Sequence, residues 1–165
     1  MRAALFIDVA SLWLNARQFG DSVGRQKARV DYARLLDHLS GKHEVISRQA
    51  YLIPRPNTAM EAFMRALQHI GYTVIMIEPP AESVAPSIVK DLEDGSDAWD
   101  VAIIAAAEGQ YADVFRRLRA SGKQIFIHSF AINCPIMYLA KEVDMYVPMR
   151  EDMLLGDQDS AVWTS

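Results

Sequence analysis

With a single cysteine in 165 residues, the chain has no means of forming an internal disulfide or a thiolate metal cage. Cys134 stands in Ala-Ile-Asn-Cys-Pro with no histidine beside it, so it reads as a small, partly buried residue and not as a nucleophile. Long apolar runs are missing too. Val101 to Ala107 is a strand's length, far short of the roughly 18 residues of a membrane span. The apolar stretch Ala3 to Ile7, directly after Met1-Arg2, is too short for a signal-peptide core and reads as a first strand. The four histidines, at 38, 43, 69 and 128, have no HExxH spacing, which argues against a zinc enzyme. No P-loop and no G-x-G-x-x-G follows the first strand, so nucleotide-dependent chemistry of the usual sort has no support. An excess of positive charge is also lacking: the net charge is -4, so a nucleic-acid partner would be held by a local basic patch. These absences together suit a protein of the reducing cytoplasm with no membrane partner.

What remains, 51% hydrophobic and 23% charged, is the composition of one globular α/β domain, expected over 1–150 with a polar C-terminal tail over 151–165. Strands are expected over Met1 to Asp8, Ser47 to Ile53, Tyr72 to Ile77, Trp99 to Ala107, Gln124 to Ser129 and Met145 to Pro148. Helices are expected over Leu12 to Phe19, Val30 to Ser40, a segment capped by Asn57 or Thr58 and ending before Gly71, Ser87 to Glu93, Gln110 to Ser121, and Asn133 to Glu142. The intervening Gly20 to Arg29 has a loop's composition. This alternation predicts a three-layer sandwich with a mostly parallel central sheet between helices, in which Trp99 to Ala107, apolar throughout, is central.

In such a sheet, ligands gather beyond the carboxyl ends of the strands. Asp8 ends the first strand, and Glu108 follows the long apolar strand in Ala-Ala-Ala-Glu-Gly-Gln. Two carboxylates meeting there would suit Mg²⁺, a hard cation that prefers oxygen ligands. An acid after a strand also caps the next helix, and either residue alone is open to that simpler reading.

The stretch Ala4-Leu5-Phe6-Ile7-Asp8-Val9-Ala10-Ser11-Leu12, with Ala16-Arg17 after it, is the first of three blocks that carry a resemblance. The second is Phe63 to Val74, of the form F-x-x-A-L-x-x-x-G-Y-x-V, and the third is Trp99 to Leu118 followed by Gly122-Lys123. Together they resemble the NYN domain family, which includes the LabA-like and DUF88 proteins, from about Ala3 to Val147. The resemblance implies a PIN-like, Rossmann-like fold and metal-dependent cleavage of RNA by clustered aspartates, with Mg²⁺ or Mn²⁺ as cofactor. Asp8 matches the first aspartate and Glu108 the first acid of S-G-D-x-D; both would ligate metal, and Asp91 is a candidate third catalytic acid. The second acid of that motif falls on Gln110 and a further one on Ala85. The family's glycine and asparagine after the first aspartate fall on Val9 and Ser11, and a lysine on Glu82. The acid set is therefore incomplete, while Asp113 and Asp144 read as structural.

For a phosphate backbone, the candidates are Ser11, Arg17, Arg25, Lys27, Arg29 and Gln110, with Arg48 and Arg55 nearby in type. Trp13 and Tyr111 are candidate surfaces for stacking unpaired bases, against the plainer expectation of solvated charges and a core or interface tryptophan. Two readings follow: a slow or specialised metal-dependent ribonuclease, or a catalytically inactive RNA-binding or protein-binding regulatory module, without a metal and with a homodimer among its forms.

Overall fold

The computed structural model describes residues 1–56 and 58–156. Six strands, β1 (Arg2–Asp8), β2 (Glu44–Leu52), β3 (Thr73–Met76), β4 (Val101–Ala105), β5 (Gln124–Phe130) and β6 (Met145–Met149), form one sheet in the order β3-β2-β1-β4-β5-β6. Every neighbouring pair is parallel. The order reverses between β1 and β4, so the crevice at their carboxyl ends is the topological switch point of the sheet. Asp8 and Glu108 emerge there.

The side-chain alternation of β1 builds two cores at once. Ala3, Leu5 and Ile7 pack with Leu12 and Phe19 of α1 (Val9–Ser22), Leu35 and Leu39 of α2 (Tyr32–Ser40), and Leu67 of α3 (Thr58–Ile70). Ala4 and Phe6 face the other way, onto Ile88 and Leu92 of α4 (Ala85–Asp94) and Val114, Phe115 and Leu118 of α5 (Ala112–Ala120). Being covered on both faces, β4 is buried at each of its five positions, as its unbroken apolar run requires. The result is the expected three-layer sandwich, with an all-parallel sheet.

The differences from expectation have local causes. Helix α1 continues to Ser22, into sequence of loop composition, because residues 25–28 fold back against it. A Cβ at Gly20 would lie 2.3 Å from Ala28 Cβ and 2.5 Å from the Arg25 carbonyl oxygen, so only glycine permits that approach. Strand β2 begins at Glu44, and its pairing with β1 shifts register between Ala3 and Ala4. The helix expected over Asn133 to Glu142 is a 3-10 helix, Pro135–Glu142, and its buried Ile136 and Leu139 stand three apart, the period of that helix. A packed segment also opens the polar tail expected from 151: Met153 and Leu154 are buried, Leu154 bridges Val30, and Leu155 N donates to the Arg29 carbonyl at 2.9 Å. The rest of that tail, 157–165, and the proposed cap Asn57 lie outside the described residues.

Candidate active site

Asp8 closes β1 and caps α1: its Oδ1 accepts the Ser11 amide at 2.8 Å. Ser11 in turn accepts the Ala107 amide on its hydroxyl oxygen at 3.0 Å, stitching the start of α1 to the chain just before Glu108. One serine thus fixes the relation between the two acids. The simpler reading of Asp8 as a helix cap is correct for one oxygen. The other, Oδ2, is fully buried and has no hydrogen-bond partner. An ionised oxygen in that position is expensive. Burial pushes the Asp8 pKa up from 3.8 to about 6; the Ser11 amide opposes the shift, the negative charge of Glu108 adds to it, and the Ser11 hydroxyl opposes it by a smaller amount.

Glu108 is half-buried, and its Oε2 accepts the Ser83 hydroxyl, whose own oxygen takes the Ala85 amide at 3.1 Å. Tyr111, one turn further on, is wholly buried with an unpartnered hydroxyl. Its burial removes it as a stacking surface, and its pKa is raised first by that burial and then by the charges of Asp8 and Glu108. Asp91, on α4, accepts the Tyr51 hydroxyl on Oδ2 at 2.6 Å. Tyr51 is the register partner of Asp8 on β2 and is itself buried. Among the described residues no three His, Cys, Asp or Glu side chains group so as to hold a metal. The structure therefore joins positions 8 and 108 and leaves Asp91 engaged by a tyrosine.

A cleft of about 1170 Å³ has walls that include Ser11, Trp13, Arg29, Arg55, Glu82 and Glu108; buried Asp8 adjoins this wall in sequence but does not itself line it. Of the expected phosphate-binding residues, Ser11 and Arg29 line it. Arg17 lies over the Trp13 ring, at 4.8 Å from its centroid. Arg25 turns away to hold the carbonyls of Glu151 and Leu155, Lys27 is exposed in its loop, and Gln110 is exposed in the turn after Glu108. Asp113 and Asp144 are structural as expected: Asp113 pairs with Arg116 at 3.0 Å, and Asp144 accepts the Ile125 amide at 2.8 Å.

Sequence reasoning missed Asn15, Ser83 and Tyr51. Asn15 is buried; its Oδ1 accepts the Phe130 amide at 2.9 Å at the end of β5, and its Nδ2 has no partner. Its signal was a polar residue inside the apolar stripe of Leu12, Ala16 and Phe19. Asp8, Ser11 and Asn15 recur at i, i+3 and i+7, one face of α1, and bind the ends of β4 and β5 to it. Ser83 and Tyr51 gave no signal, because their partners lie 25 and 40 positions away.

The donors suit one hard cation. Asp8 Oδ2 is uncommitted, Glu108 keeps its second oxygen, and two carboxylates balance a divalent charge, with water or phosphate oxygens left to complete the shell. Among the described residues no further acid joins them to hold a second ion.

The fold is shared with a crystal structure of a protein of unknown function from Vibrio parahaemolyticus: the TM-score is 0.82 at 18% identity, covering 93% of this chain and 96% of that one. At that identity the likeness speaks for the fold alone. No curated protein matches the chain. The NYN domain family model matches residues 2–149, nearly the whole described chain, and its span contains Asp8, Ser11 and Glu108. By that match, and by a fold that agrees with it, the chain belongs to the NYN domain family, whose members have a PIN-like nuclease fold.

Proposed function

We propose that the protein is a slow, single-metal ribonuclease of the cytoplasm, with Asp8 and Glu108 as its metal ligands. The observation that carries this reading is the buried, partnerless Oδ2 of Asp8 beside a second carboxylate. A helix cap needs one oxygen, and a second one buried without a protein partner carries a cost that a cation would relieve. A bound Mg²⁺ or Mn²⁺ would polarise a phosphoryl oxygen and lower the pKa of an attacking water. The chain's own contribution is positional. Ser11 holds Asp8 and the Ala107 end of β4 in one frame, Ser83 orients Glu108, and buried Tyr111 walls the acids off from the core side. Asp91 supports the site through Tyr51, the neighbour of Asp8 across the sheet, rather than as a ligand.

A second reading is favoured by a different observation, the lack of any three-acid group among the described residues. On it, the fold is retained as an RNA-binding or protein-binding module, self-association included, and cleavage has been lost. One experiment separates the two: incubation of labelled RNA with Mn²⁺, using wild type and Asp8→Asn side by side. The nuclease reading expects cleavage that needs metal and disappears in the variant. Equal cleavage by both proteins, or none by either, leaves the binding module.

A further inference from the structure

Two sets of arginines in this protein differ in their surroundings. Those on the α5 face are neutralised: Arg116 by Asp113 and Glu142, Arg117 by Glu93, and Arg119 by Asp144. Arg17 and Arg55 have no carboxylate partner among the described residues, and both instead lie over the indole of Trp13, at 4.8 and 5.4 Å from its centroid. Trp13 is 42% exposed, although it is one of the largest apolar side chains in the molecule, and it lines the same cleft as Glu108. A tryptophan held in solvent under two unneutralised guanidiniums is poorly explained by packing. It matches what an unpaired base and its phosphates require, a flat π surface with cations at its edge.

We infer that Trp13, Arg17 and Arg55 form a platform for single-stranded RNA, on which one unpaired base stacks while the guanidiniums take the flanking phosphates. The inference rests on the reading of RNA as substrate and extends it to the strand form. Trp13 and Glu108 line the same cleft, so a strand stacked on the indole runs through the cleft that Glu108 faces. An incoming base displaces one guanidinium from the indole, and the displaced group gains a bidentate phosphate partner in exchange. A duplex keeps its bases stacked on each other and offers nothing to the ring.

The test is binding of a fluorescein-labelled oligoadenylate of about ten nucleotides in EDTA, so that no cleavage intervenes. An abasic oligomer of equal length and the matching duplex serve as competitors. Wild type is expected to prefer the base-bearing single strand over both. Trp13→Ala should bind it roughly 5- to 100-fold more weakly, no better than it binds the abasic oligomer, and Trp13→Phe should recover part of the loss. Arg17→Gln and Arg55→Gln should each reduce the salt dependence by about one phosphate contact. Binding by Trp13→Ala within about twofold of wild type, or equal binding of abasic and base-bearing strands, overturns the platform. Base-dependent binding by a protein that cleaves nothing in Mn²⁺ would remove the nuclease reading and leave the platform standing.

Discussion

Helices α1 and α2 begin alike, each with an aspartate whose Oδ1 accepts the amide three residues on, at 2.8 Å for Asp8 and 3.0 Å for Asp31. Their second oxygens differ. Asp31 Oδ2 reaches Arg34 Nε at 3.6 Å near the surface, so that cap is satisfied on both sides. Asp8 Oδ2 is buried near Glu108 and has no hydrogen-bond partner among the described residues. The lesson is that a capping motif legible in sequence carries its function in the oxygen the motif does not use. At α2 that oxygen adds a modest surface contact. At α1 it is held at an energetic cost, and costs of that kind concentrate at functional sites.

The most severe way to probe the contrast is Asp8→Asn. It keeps the cap, since asparagine caps helices as well as aspartate does, but removes the charge. We expect metal-dependent cleavage to fall by at least about 100-fold, while Asp31→Asn stays within about twofold, both read on the same labelled RNA. Comparable losses in the two variants would show that the distinction between the caps is empty.

Stability should move in the opposite direction. Because the folded state raises the Asp8 pKa from 3.8 to about 6, it holds that proton more tightly than the unfolded chain does. The resulting stabilisation is fully present below about pH 4 and is lost as the pH rises through about 6. Asn at this position is neutral throughout. Without divalent ions, Asp8→Asn should therefore exceed wild type by about 2–3 kcal/mol near pH 7.5 and match it near pH 4, measured by urea denaturation. A variant no more stable at the higher pH would mean that Oδ2 is not the burden assigned to it.

Asn15→Leu should cost about 1–3 kcal/mol by leaving the Phe130 amide unpaired, despite adding apolar bulk to an apolar stripe. A neutral or stabilising result would show that the polar face of α1 does not fasten β5. The smallest effect is expected from the ordinary cap: Asp31→Ala should lose about 1 kcal/mol in urea denaturation.

How much of this was readable beforehand follows from how far apart the interacting residues lie. The parallel sheet between helices was implied by alternating periods, though not its strand order, and the apolar run of β4 announced its central place. Asp8 and Glu108 were visible because strand ends in a parallel sheet converge whatever the side chains do. The fate of Asp91 was not, since only folding brings Tyr51 to it across 40 positions. Nor was that of Arg25, which sits in a charged loop that reads as solvated yet fastens carbonyls 126 and 130 positions on. Tyr111 read as a surface aromatic because a lone tyrosine after a strand gives no sign of which way it turns; here it packs against Phe115 at 5.4 Å between centroids.

The central claim is that Asp8 carries an unsatisfied carboxylate oxygen that a divalent cation relieves, and it is open to direct observation by a carbon-13 NMR titration of the Asp8 carboxyl, without and with Mg²⁺. The account predicts a pKa of about 6 in the metal-free protein, falling by a unit or more when the ion is added. A carboxyl that titrates near 4 and takes no notice of the ion would contradict it.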